Sequence, residues 1–481
     1  MKKPSRRPSP AISLTLLISG YVLLFFYLAY RRWASFGCET ADFGLYNNML
    51  WWCIRGRLFY ASQLDGSNLG LHTALLWVQI IPFYWLFPGE AVLMFMQSLF
   101  LGICAWPMYL IAREIFDDHK TALVAAATFI FFPSIVSQNV NQVEEPSFVA
   151  VYLLFAFYFF VKKRFAWFLL FGCIACLGRE NVPLAVAMFG LYAAIQRRNW
   201  RWIVVPPAVS LSYFLFALKV IIPHFRGERH WFPMRMFKYL GDAPGAVVLN
   251  MLTHPGLVLH HLTAWENVLY SVFLVQPLAW LLPFGSAACL LALPDLAINL
   301  LADNQAMKDV AWHYNVITGS FLFVSALFTV KKLTLWLGRH YNGQGMALVM
   351  VMGLAAFSLS HWFLWFVPNE YSRLPQHDSL MHAMQAVPAD KSILVPSRLR
   401  GHVSSREHAD SIEWFQNQPD YAAQFEYIIL DANERRFPPI ITQEFFDSFY
   451  KNPAYRLVFA ENNVFVFRRS GGESDWNVHQ R

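Results

Sequence analysis

The chain has 481 residues, of which 56% are hydrophobic, 17% aromatic and only 14% charged, and it carries a formal net charge of +7. Soluble domains are about a quarter charged, so this composition excludes an ordinary soluble fold and points to a polytopic membrane protein. In such a chain basic residues report topology rather than partners, and no basic patch interleaved with stacking aromatics points to nucleic acid.

The N-terminal stretch "MKKPSRRPSPAISLTLLISGYVLLFFYLAYRRW" sets basic residues before an apolar run of about twenty, long enough to cross a hydrocarbon core. It exceeds a typical signal-peptide core and no small-residue cleavage site follows, so an uncleaved signal anchor is expected. Further apolar segments predict spans near 91–112, 121–138, 146–161, 165–178, 182–196, 202–222, 268–284, 286–302, 314–330 and 346–367, eleven with the first at 11–30. With the N-terminus in the cytoplasm, the cytoplasmic pieces hold fifteen Lys and Arg, and the short outer loops hold two, Arg179 and Lys308. That asymmetry is what the positive-inside rule demands, and it puts the C-terminal segment outside.

Two outer loops are long. The first, 31–90, opens on "CETADFGLYNNMLWW". From Asp42 to Ile54 it reads as an amphipathic helix lying in the interface, and Asp42 can be that helix's N-cap or a group with chemistry of its own. "LLWVQIIPFYWLF" (75–87) is apolar enough to dip into the membrane, while Pro82 argues against a regular span. The second, 223–266, contains "PHFRGERHWFPMRMFKYLG", which suits anionic headgroups or a solvated loop with interfacial anchors. Of the six Cys, Cys173 and Cys176 form a C-x-x-C inside an apolar run and read as a buried thiol pair on a helix. Cys38 and Cys53 could pair in an oxidising space.

After about residue 368 the composition shifts. "KSILVPSRL", "EYIILDANE" and "YRLVFAENNVFVFRR" read as strands, the last a hairpin about Glu461-Asn462-Asn463; "DSLMHAMQAV" and "ITQEFFDSFYK" read as helices. The division expected is a transmembrane domain over 1–367 and a small extracytoplasmic α/β domain over 368–481.

Charges near a membrane are costly, so their positions carry information. In this topology Asp42, His72, Glu144, Glu145, Arg179, Glu180, Asp295, Asp303, Lys308 and His313 all fall at the outer ends of spans, which suggests one site at the outer surface. Blander roles stand beside this: His72 and His313 as interfacial residues, Glu144 and Glu145 as acids favouring the dipole of a helix opened by Pro146, and Arg179-Glu180 as an ion pair. A carboxylate there can act as general base or hold a divalent metal, and Arg and His can neutralise a phosphate. No P-loop, Rossmann fingerprint, H-E-x-x-H or nucleophile elbow occurs in the sequence.

The plan of a first span followed by a long outer loop with an acid just after it resembles the GT-C glycosyltransferases, which take sugars from polyprenyl-phosphate carriers. The residues "ADFGLYNNMLWWCIRGRLFY", "LGLHTALL", "LGREN", "ALPDLAINLLAD", "HYN", "LVPSRLRGHVSSRE" and "YIILD" resemble more closely still the predicted membrane-protein family of unknown function numbered 2079, itself GT-C-like. The resemblance implies that Asp42 is the first-loop acid, His72 the loop histidine, and Arg179 and Glu180 the Arg-Glu pair. Where GT-C enzymes often carry adjacent acids, Asp42 is followed by Phe43, so Glu144 or Glu145 would be the second acid.

The expectation is therefore a mainly α, GT-C-like polytopic glycosyltransferase of a cell envelope. Asp42 would be its general base; Arg179, His72, His313 and Lys308 would bind substrate; Glu144 and Glu180 would orient sugar or acceptor. A Mg or Mn ion, if used, would sit on Asp42 and Glu144. Its partners would be a polyprenyl-phosphate sugar donor, membrane lipids and an extracytoplasmic acceptor. A transporter or flippase, or a non-catalytic scaffold, is the alternative.

Overall fold

The computed structural model describes residues 9–38, 40–141, 143–227, 231–338, 343–365, 368–414, 419–433 and 441–470. The chain divides into two compact units. One comprises residues 1–27, 69–78 and 95–366; the other comprises 28–68, 79–94 and 367–481.

The first unit is helical. Pro146–Val161 and Phe165–Cys176 pack as a pair, as do Val182–Ile195 and Trp200–Phe216, and Ala105–Phe116 and His119–Ile130. These helices are apolar all round, which suits burial on one side and lipid on the other. Phe157, Phe160, Phe168, Phe189, Tyr192 and Trp202 make a shared aromatic cluster. Leu16, Leu23, Trp106 and Trp167 are more than half exposed, as side chains facing hydrocarbon are. Among the described residues four helices are long and apolar enough to cross a membrane: Pro10–Ala34, Glu90–Phe116, Trp200–Arg226 and His313–Leu337.

Several expected spans take another form. The segment 121–138 is two helices, His119–Ile130 and Pro133–Val140, bent by 45°, because Pro133 has no N–H to continue the first. Over 268–284 the helix Trp265–Val275 gives way to 3-10 turns at Gln276–Leu278 and Leu282–Gly285. Pro277 and Pro283 break it, and Ala279 and Trp280 take left-handed backbone between them. Segment 286–302 opens as a 3-10 turn and becomes α-helical only over Leu293–Leu301. The loop 223–266 contains helices at Pro244–Thr253 and Pro255–Leu262, neither with a buried residue.

The second unit holds a five-stranded sheet. With the hairpin β1 (Tyr60–Ala61) and β2 (Gly66–Ser67) counted first, its strands are β3 (Ile393–Val395), β4 (Ala409–Ser411), β5 (Tyr427–Asp431), β6 (Tyr455–Glu461) and β7 (Val464–Arg469), in the order β4-β3-β5-β7-β6. β4, β3 and β5 run parallel, whereas β7 and β6 are antiparallel. Both faces of the central strands β3 and β5 are covered, so these two read as continuous apolar runs. Ile393, Val395, Ile429 and Val466 face one core, and Leu394, Ile428, Leu430 and Phe467 the other. Asn462 and Asn463 both have positive φ, the backbone a two-residue hairpin turn requires. The predicted strands and the helices His377–Gln385 and Gln443–Tyr450 are all present; β4 and the helix Ser397–Val403 were not anticipated.

The first-loop helix Ala41–Cys53 forms where expected, but it is not interfacial: ten of its thirteen residues are buried. Thr40, not Asp42, occupies its N-cap, and Asp42 lies in the first turn. The Thr40 hydroxyl donates to Ser397 O and accepts from Gly401 N. Asn47 Nδ2 donates to Ser404 Oγ, and Asn48 Nδ2 donates to the carbonyls of Ser404 and Arg406. A Cβ on Gly401 would lie 2.6 Å from the Phe43 ring, and one on Gly44 would lie 2.6 Å from Arg400 Cγ. A short helix over Ile81–Leu86 starts around Pro82. Cys38, Cys53, Cys173 and Cys176 are free thiols; Cys53 Sγ accepts from Phe59 N instead of bridging to Cys38.

Gly401→Ala and Gly44→Ala should each destabilise the protein by about 1–3 kcal/mol through overpacking. Gly20→Ala, where nothing lies within 4 Å, should leave stability unchanged or raise it by up to about 1 kcal/mol. Thermal unfolding of the purified full-length protein compares the three.

Candidate functional site

Three polar turns of the first unit meet. The first is "LGLHTALLW", where His72 and Thr73 precede a 3-10 turn over Leu75–Gln79. The second is "LGREN", between the helices Phe165–Cys176 and Val182–Ile195. The third is Glu144-Glu145, just before the helix Pro146–Val161. Leu76 N donates to Leu177 O at 3.2 Å, and Trp77 Nε1 donates to Glu145 Oε1 at 2.8 Å. Gly178 lets the second turn approach the third: a Cβ there would sit 2.1 Å from Val149 Cγ2.

On this frame His72 lies between Arg179 and Glu180. Arg179 Nη2 is 3.0 Å from His72 Nε2, and His72 Nδ1 is 2.8 Å from Glu180 Oε1. A guanidinium only donates, so Nε2 accepts and the ring proton is assigned to Nδ1, which donates to Glu180. Glu180 Oε2 accepts from Thr73 N at 3.3 Å. Burial pushes the Glu180 carboxyl up, but the His72 imidazole, its hydrogen bond and the Arg179 charge outweigh that and hold it down at about 2.

Glu144 faces the N-terminal end of the helix Val316–Leu337, where its Oε1 lies 3.9 Å from His313 Nδ1 with both side chains buried. The Nε2 of His313 is buried with no hydrogen-bond partner. The loop carrying His313 is held by Asn315 Nδ2, which donates to the carbonyls of Asp309 and Trp312, and by Asn299 Nδ2, which donates to Tyr314 O. Asp295 accepts from Asn181 Nδ2 at 2.9 Å and from the Thr318 hydroxyl at 2.8 Å.

Of the residues singled out from sequence, His72, Arg179 and Glu180 are thus bonded together, and Glu144 pairs with His313. Lys308 falls in another cluster, with Nζ 3.5 Å from His261 Nε2 and in the fields of Asp303 and Glu266. Asp42 belongs to the second unit. Thr73, Trp77, Asn181 and Thr318 were not singled out; an amide beside the Arg-Glu pair was the one available signal. Among the described residues no three His, Cys, Asp or Glu side chains are gathered as ion ligands. Both oxygens of Glu180 and of Asp295 are taken by neighbours, so neither offers a free oxygen of the kind Mg or Mn gathers.

The model of the family described as "Predicted membrane protein (DUF2079)" matches residues 32–466. No curated protein sequence matches the chain. Two crystal structures of ArnT from Cupriavidus metallidurans are similar in fold, each covering 93% of this chain and 98% of the other at a TM-score of 0.50. The one bound to undecaprenyl phosphate is 11% identical and the apo form 12%.

Because the folded Glu180 value is depressed from 4.5, its contribution to stability is present above about 4.5 and is lost as pH falls through about 2. His72→Ala removes the strongest opponent of burial. The protonated-carboxyl infrared band that Glu180→Gln deletes should therefore appear at higher pH in His72→Ala than in the parent protein.

Proposed function

The chain belongs to the predicted membrane-protein family DUF2079, and from that premise we propose an integral-membrane glycosyltransferase of GT-C type. It moves a sugar from a polyprenyl-phosphate carrier to an acceptor at the outer face of the membrane. The observation that carries this reading is the Arg179 guanidinium held at His72, together with His313 Nε2, buried and without a hydrogen-bond partner. A phosphate oxygen meets both needs there: it accepts from a guanidinium and from an imidazole N–H. The fold is similar to that of ArnT, which has been seen bound to undecaprenyl phosphate, and this supports the same carrier class.

In the reaction, an acceptor oxygen or nitrogen attacks the anomeric carbon as the bond from that carbon to the phosphate oxygen breaks. The electron pair leaves with the polyprenyl phosphate, where Arg179 and the free nitrogen of His313 stabilise it. The acceptor's proton passes to a base, and Asp42 takes that role by its place in the first loop just after the first span. Glu180 and Arg179 hold His72 in one orientation, and His72 in turn positions the Arg179 guanidinium.

Asp42→Asn should abolish transfer from polyprenyl-phosphate sugar in reconstituted bilayers while leaving undecaprenyl phosphate binding intact. Arg179→Gln should weaken that binding at least about tenfold, since a charged hydrogen bond is lost. Full transfer by Asp42→Asn would remove Asp42 from the mechanism, and unchanged binding by Arg179→Gln would remove the phosphate site.

From the distribution of basic residues we infer a cytoplasmic N-terminus and a C-terminal segment outside. A periplasmic phosphatase reporter joined after Arg481 should be active, and one joined after Gln196 should not.

A further inference from the structure

The basic cluster accounts for a phosphate but leaves several buried polar atoms of the same three turns unexplained. Glu145 is fully buried; its Oε1 accepts from Trp77 Nε1, and its Oε2 has no partner. The hydroxyl of Thr73, also fully buried, has none, although its backbone N–H meets Glu180. Asn181 Nδ2 is spent on Asp295, and its Oδ1 has none. A buried group left unbonded costs about 1–3 kcal/mol. Three such atoms on turns tied by Leu76 N–Leu177 O, Trp77–Glu145 and His72–Glu180 form a concentrated deficit. Glu145 Oε2 and Asn181 Oδ1 accept, and the Thr73 hydroxyl can accept as well as donate, so the deficit is chiefly one of donors. A second phosphate would worsen it, whereas a group carrying several O–H donors would satisfy it.

We propose that Glu145, Thr73 and Asn181 form the subsite for the hydroxyl-bearing glycosyl group of the carrier lipid, beside the Arg179–His72 phosphate site. This rests on the glycosyltransferase reading. It assigns to Glu145 a recognition role distinct from its neighbour Glu144, which faces His313. Glu145 Oε2 takes the strongest bond, a sugar hydroxyl donating to a carboxylate in a water-poor setting.

The test measures binding of two probes to the purified full-length protein by native mass spectrometry: undecaprenyl phosphate and undecaprenyl phosphate carrying a hexose. The parent protein should prefer the glycosylated lipid by about tenfold or more. Glu145→Gln should erase that preference and bind the bare phosphate lipid unchanged. Thr73→Val keeps the backbone bond to Glu180 and should reduce the preference in part, so the subsite remains testable if Glu145→Gln does not fold. Equal binding of both lipids by the parent protein, or an undiminished preference in the variants, would overturn the subsite and leave the phosphate site standing; the orphaned atoms would then hold water only. Failure of the parent protein to bind either lipid would overturn the subsite together with the glycosyltransferase reading.

Discussion

A polar group at membrane depth has no water to turn to, so it must find its partner inside the protein. The first unit is organised around that constraint. Gln97 Nε2 donates to Gln138 O, and Gln138 Nε2 donates both to Gln97 Oε1 and to the Ser147 hydroxyl. Asn139 bridges Ser98 and Tyr21, accepting from one and donating to the other. The Ser325 hydroxyl reaches Pro283 O and Ser286 O, which the break in the neighbouring helix has freed. Each of these pairings joins segments distant in the chain, so satisfying the polar atoms also specifies which helices are neighbours. Among the described residues the buried atoms without a hydrogen-bond partner in this unit include those of Glu145, Thr73, Asn181 and His313, and also those of Ser210, Tyr213 and Asn267.

In the second unit a different device does the specifying. Glycines on two short helices, Gly44 and Gly401, remove the side chains that would hold the backbones apart. The gap is closed by Thr40 on Ser397 and Gly401, and by Asn47 and Asn48 on the 404–406 turn. Asn48 also turns back to its own loop, where Oδ1 accepts from the backbone and hydroxyl of Ser62. The first loop and the C-terminal sheet are therefore one folding problem. This gives a physical reason why "ADFGLYNNMLWW" and "SRLRGHVSS" both carry the family resemblance from opposite ends of the chain.

Much of this was legible in sequence because hydrocarbon imposes length and apolarity directly. The helix Pro146–Val161 has the borders its residues predict, and the hairpin at Asn462-Asn463 follows from two residues that tolerate left-handed backbone. Three-dimensional partners were less legible. The segment 268–284 is apolar enough to read as a span, but periodicity does not register what Pro277 and Pro283 do to the ladder. The helix Ala41–Cys53 reads as interfacial because its aromatic residues look lipid-facing until its cover, the helix Ser397–Val403, is known. Within the site, His72, Arg179 and Glu180 were readable as costly charges, whereas Thr73 and Asn181 are neutral and matter only through what their neighbours leave unbonded.

The same reasoning explains how a fold persists at 11% identity to ArnT. Lipid-facing and core apolar residues exchange freely so long as volume and hydrophobicity are kept, so identity drains from most of each helix without disturbing its path. What cannot drift is the small set of close approaches and internally paired polar groups, because each loss there costs desolvation with no solvent to compensate. Fold likeness therefore speaks for architecture, and chemistry has to be argued from the polar groups themselves. Here those are a histidine oriented between Arg179 and Glu180, a second histidine whose Nε2 is buried without a hydrogen-bond partner, and the unsatisfied carboxylate oxygen of Glu145. An arginine and an imidazole N–H suit a phosphate, and an acid short of donors suits hydroxyls. A phosphate linked to a polyhydroxyl group would satisfy both halves of the proposed site.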